Sequence, residues 1–152
     1  MLIDLQIIEQ FQSQITSQLL ENAALVAIRH QAVPDNAALS IVIADDQQLH
    51  QLNHQFRDID APTDVLSFPA SHVDPENGSP YLGDIIISFL RAESQASADG
   101  HSIMEELQLL VVHGILHLLG HDHAAADEKS RMWSAQAEIL QQLGISDTLF
   151  PT

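Results

Sequence analysis

The sequence predicts an α/β protein of α+β type: one compact domain over residues 1–152, with a small mixed sheet of about four strands flanked by helices and a buried central helix carrying histidines. Three observations predict it. Short runs rich in β-branched residues, at 39–44, 65–68 and 82–87, alternate with longer segments whose apolar residues recur every three or four positions. The stretch 107–119 is apolar almost all round, as a helix covered on every side must be. A length of 152 residues, 45% of them apolar, supplies one core and is short for two.

Taken in order, residues 2–6 alternate loosely enough for a strand. Ile8, Phe11, Ile15, Leu19 and Val26 then keep helical spacing, which predicts one helix ending near His30. A turn at Pro34-Asp35-Asn36 leads into the strand 39–44, and Asp45 or Asp46 caps a helix over about 47–57 with Leu49, Leu52 and Phe56 along one side. After a loop at 58–64, the strand 65–68 is expected to stop at Pro69, which has no N–H for a central ladder. Residues 71–80, with two prolines, a glycine and several polar side chains, read as a surface loop. The next strand, 82–87, is apolar on both sides except at Asp84. A short helix over 91–98 ends at Gly100, and Ser102 with Glu105 has the spacing of a reciprocal capping box opening the apolar helix. Gly120 stops that helix. A last helix, about 125–143, puts Met132, Gln136, Ile139 and Leu143 on one stripe before Gly144.

Composition removes several functions. The absence of cysteine excludes disulfides, thiolate metal sites and a thiol nucleophile, leaving His, Asp and Glu as metal ligands. Twenty-one acidic residues against five basic ones, a formal charge of −16, disfavour non-specific nucleic-acid binding and suit either solubility or a basic protein partner. The apolar stretch at 107–119 is interrupted by Gln108, His113 and His117, so no membrane span is expected. The N-terminus has the acid Asp4 where a signal peptide carries basic residues, and a cytoplasmic location is the default expectation.

The histidines carry the chemistry. Four of nine, His113, His117, His121 and His123, fall within positions 113–123. His113 and His117 are one turn apart, roughly 6 Å along the helix axis, so both rings face one side and can share an ion. Gly120 permits a left-handed exit that turns the following residues back, bringing His121 or His123 into reach. A histidine pair on an apolar helix face is commonly just a hydrogen-bonded core pair. A third imidazole behind a glycine stop, and the cost of about 1–3 kcal/mol for each unpaired buried polar group, favour a shared cation instead. Three imidazoles with one open position describe a catalytic zinc; copper, nickel and iron also accept imidazole.

The segment His113-Gly114-Ile115-Leu116-His117-Leu118-Leu119-Gly120-His121-Asp122-His123 resembles the signature of the YbeY family, bacterial metal-dependent endoribonucleases of ribosomal RNA maturation. The run from Phe56 through Arg57 and Pro62-Thr63-Asp64-Val65-Leu66-Ser67-Phe68 to Pro69, and Leu82-Gly83-Asp84-Ile85-Ile86-Ile87, agree with it, so the resemblance spans about residues 40–140. It implies His113, His117 and His123 as ligands of one zinc ion (Zn2+) per chain. His121, where the family often has an aromatic residue, is implied to be a non-ligand, and Arg57 matches an arginine implicated in activity. It also implies single-stranded precursor 16S ribosomal RNA as substrate, in 3′-end maturation and ribosome quality control, with small-subunit ribosomal proteins or assembly factors as partners.

Two alternatives bear on this reading. A zinc protease of similar helix motif needs a Glu directly after the first histidine, and this chain has Gly114. A non-catalytic zinc protein aiding ribosome assembly suits the acidity. Other roles are open: Arg57 either binds phosphate or pairs with Asp58 or Asp60, and Asp122 either orients a ligand ring or caps the last helix. Asp84 orients a group near the site or makes a structural hydrogen bond, and Thr63 and Ser67 are possible but unspecific phosphate contacts.

Overall fold

A computed structural model describes residues 2–145 apart from Asp74 and Asn77. The elements run β1 (Leu2–Ile7), a 3-10 segment (Glu9–Gln14), α1 (Ser17–His30), β2 (Ala38–Ala44), α2 (Asp46–Arg57), β3 (Val65–Val73) and β4 (Pro80–Ser88), then α3 (Phe89–Asp99), α4 (Ile103–Leu118) and α5 (Ala126–Gln142). The four strands form one mixed sheet in the order β1-β2-β4-β3; β1, β2 and β4 are parallel, and β3 runs antiparallel on the edge. The α/β class and the four-strand sheet are as the sequence predicts.

Because side chains alternate across a strand, the sheet has two unlike faces. Leu39, Ile41, Ile43, Ile85 and Ile87 point into the main core, where α1, α3, α4 and α5 pack. On the other face, Ala44, Leu66 and Ile86 meet Leu49 of α2 in a smaller core. The main-core face holds the histidine helix. α4 touches α1, α3, α5, β3 and β4, and its start is fixed by the Ser102–Glu105 capping box. Gly114 lets α4 sit directly on β4: a Cβ there would lie 2.8 Å from Ile85 Cγ2. Among the described residues no helix is long and apolar enough to cross a membrane.

The structure departs from the sequence reading at element ends. The single helix expected from Ile8 is broken, because the β-branched pair Ile15-Thr16 adopts extended backbone between the 3-10 segment and α1. That break lets Phe11 stack on Phe89 of α3 at 4.2 Å between centroids. Pro69 does not stop β3, which continues to Val73 with a register shift between Pro69 and His72; on an edge strand the missing N–H costs no ladder bond. The expected loop at 71–80 is correspondingly shorter. The α3 helix begins at Phe89 rather than Arg91, because the Ser88 hydroxyl accepts the Arg91 amide at 3.2 Å. Ala125 stands at the N-cap of α5, so Asp122 does not cap it. Of the two aspartates that could cap α2, Asp45 does so, accepting the Gln48 amide at 2.9 Å, and Asp46 is the first residue of the helix.

Candidate metal centre

His113 and His117 project from the same side of α4, and the chain beyond them folds back. Gly120 takes φ +95°, the His121 amide closes onto the Leu116 carbonyl at 2.9 Å, and the Asp122 carboxylate accepts the His123 amide at 2.7 Å. This exit returns His123 to the helix face, so that ligand atoms of His113, His117 and His123 all lie within 4.8 Å of one another. His121 turns the other way, its Nε2 lying 2.8 Å from Gln31 Oε1 at the end of α1.

The first ring is oriented from behind. His113 Nδ1 lies 2.9 Å from Gln136 Oε1, and an amide oxygen only accepts, so Nδ1 carries the proton and Nε2 keeps a free lone pair. That lone pair faces His117 Nε2 at 3.2 Å. Trp133 of α5 stacks on His123 with centroids 5.9 Å apart. Burial is the main cause holding His113 down to about 4, against the opposing pull of the Gln136 hydrogen bond. Burial also lowers His117, followed by the nearness of His123. Both rings are therefore neutral near pH 7, the form that binds metals.

These residues fit a divalent cation. Nitrogens on a tetrahedral ion with bonds of about 2.0–2.1 Å stand roughly 3.4 Å apart, close to the separation of the two α4 rings. Two ring nitrogens directed at each other without a shared proton or ion repel, and an all-imidazole set suits zinc among other borderline metals.

A cleft of about 300 Å³ opens in front of His113 and His117, lined also by Arg57, Asp64, Ser67 and Pro69. It unites the end of α2, the edge strand and α4. Among the described residues Arg57 has no ion-pair partner; Asp60 is instead held by His50 at 2.6 Å. Ser67 donates to the Gly114 carbonyl at 3.0 Å and so braces β3 against the histidine helix. Asp64 is pinned by the Val65 amide at 2.8 Å and by Gln95 Nε2 at 3.2 Å. Thr63 donates weakly to the same carboxylate, at 3.4 Å. A larger groove of about 890 Å³ lies along β1, β2 and β4 but contains none of the three histidines.

Two expectations narrow here. Asp84 accepts from the Tyr81 hydroxyl, itself 2.7 Å from Ser40 Oγ, so its partner is structural and lies across the sheet from the cleft. Asp122 binds the His123 backbone amide, and among the described residues its carboxylate takes no hydrogen bond from a ligand ring. Sequence reasoning missed Gln136 and Asp64 as parts of the site. The signal for Gln136 was present: a glutamine on the apolar stripe of α5 requires a buried partner.

The family model for Endoribonuclease YbeY matches residues 4–144. The Endoribonuclease YbeY of Roseiflexus castenholzii is 42% identical over 150 residues, covering 95% of this chain and 94% of that protein. The Geobacillus kaustophilus protein of the same name is 43% identical over 121 residues, covering 75% and 78%. The solution structure of TM1509 from Thermotoga maritima superposes with a TM-score of 0.58 at 26% identity, covering 93% of this chain and 91% of that one.

Proposed function

We propose that this chain, which belongs to the YbeY endoribonuclease family, is a cytoplasmic, zinc-dependent endoribonuclease that cuts single-stranded RNA, with precursor 16S ribosomal RNA as its substrate. The observation that carries this reading is the meeting of His113, His117 and His123, the first two of which line a cleft whose wall includes Arg57. Small-subunit ribosomal proteins or assembly factors are the partners this reading implies.

When bound, the ion would supply a Lewis acid and a water acidified toward a pKa of ~7. The remaining work falls to side chains. His113 and His117 present neutral nitrogens, and Gln136 holds the first ring in the ligating tautomer. Arg57 offers a planar fork of N–H donors, suited to a phosphate whose charge rises as phosphorus gains a fifth oxygen. Its freedom from Asp60 leaves those donors available. Gly114 weighs against peptide hydrolysis, because the position where a protease carries its general base is filled by Ile85.

The test is cleavage of a single-stranded RNA by zinc-loaded wild type, His117→Ala and Arg57→Ala, freed of contaminating nuclease. Wild type is expected to cleave and both variants to lose roughly 10²-fold or more in kcat, Arg57→Ala with its melting temperature and zinc intact. Equal cleavage by all three would overturn the assignment and leave a non-catalytic assembly factor.

A further inference from the structure

The geometry points to Phe56 as a stacking platform for a base of the RNA strand just outside the cleft, a positioning role that rests on the reading above. Phe56 is in the last turn of α2, directly before Arg57, and leaves 59% of its surface in water. Its ring meets Phe68 at 5.2 Å and an interplanar angle of 66°, an edge contact that leaves ring surface open. Phe68 stands between Ser67 and Pro69, both of which line the cleft.

Alternation along β3 separates these neighbours. Ser67 faces α4 and the histidines, while Phe68 packs on the α2 side of the sheet. Because β3 is the edge strand, the two faces meet around its outer side, where Pro69 is exposed. A strand whose phosphate lies by Arg57 and which leaves over Pro69 arrives at Phe56.

Energetics favour that route. A chain of net charge −16 gains little from phosphate neutralisation, so affinity must come from contacts that charge does not oppose. Stacking is such a contact, and it accepts any base. It also discriminates: a base inside a duplex has both faces covered, so Phe56 reads single-strandedness without reading sequence.

The experiment compares zinc-loaded wild type with Phe56→Ala, Phe56→Leu and Phe56→Tyr on a single-stranded oligoribonucleotide carrying 2-aminopurine at successive positions beside the cut. Phe56→Ala and Phe56→Leu are expected to raise KM about tenfold, with kcat changed less than about threefold. Both should abolish the fluorescence quenching that wild type gives at one position, and Phe56→Tyr should restore both signals. Phe56→Leu keeps an apolar side chain against Phe68, so wild-type KM and quenching in that variant would mean a mere cover for the small core and would overturn the platform. Wild-type quenching without cleavage would sink the activity alone; cleavage with KM indifferent to Phe56 would sink the platform alone.

Discussion

Gln136 shows how one side chain sets the character of another. It is buried in α5, its carbonyl oxygen bonds His113 Nδ1, and it thereby decides which nitrogen of His113 faces the centre. Gln136→Leu keeps the volume and removes the acceptor. Zinc affinity is expected to fall about 10–100-fold with the fold retained, measured by competition with a chelating dye. Gly114 is constrained in the opposite sense, by lack of space. Gly114→Ala drives a methyl group to 2.8 Å from Ile85, and overpacking of this kind costs roughly 1–3 kcal/mol, readable as a lower denaturation midpoint.

At the scale of elements, α4 is the part most fully legible beforehand. Its capping box, its apolar circumference and its glycine stop are all local signals, and each corresponds to an observed bond or turn. The return of the chain past Gly120 was readable for the same reason, but the glycine left His121 and His123 equally eligible, and the family resemblance alone chose His123. What was not readable depended on partners distant in sequence. Pro69 looked like a terminator because nothing local says that β3 is an edge strand. Asp84 stayed open between a site role and a structural hydrogen bond because what decides it is β2, whose Ser40 stands in register beside it and bonds the Tyr81 hydroxyl that donates to its carboxylate. The continuous first helix failed where Ile15 and Thr16 gave up helical backbone so that Phe11 could reach Phe89. The cap of α4 makes a local test: Ser102→Ala should destabilise the protein by about 1 kcal/mol in urea denaturation.

For the whole molecule, the buried histidine links stability to pH. His113 titrates near 4 when folded and at its ordinary 6.5 when unfolded. Above 6.5 the ring is neutral in both states and its contribution is complete. As pH falls from 6.5 toward 4, the unfolded chain takes the proton first and metal-free protein loses stability, on the order of 3 kcal/mol once both states are protonated. Chelator-treated wild type should therefore weaken over that window more steeply than His113→Asn. Charge gives a second global expectation. With Arg57 the only lysine or arginine among the described residues that line the cleft, the logarithm of single-stranded RNA affinity should fall with that of salt at a slope of only about −0.7.

The metal centre is the claim on which cleavage depends, and elemental analysis of purified protein after dialysis against zinc tests it most directly. Wild type should hold one zinc ion per chain and a folded His123→Ala variant close to none. Zinc-free wild type, or a His123→Ala variant that keeps its full complement, would contradict it.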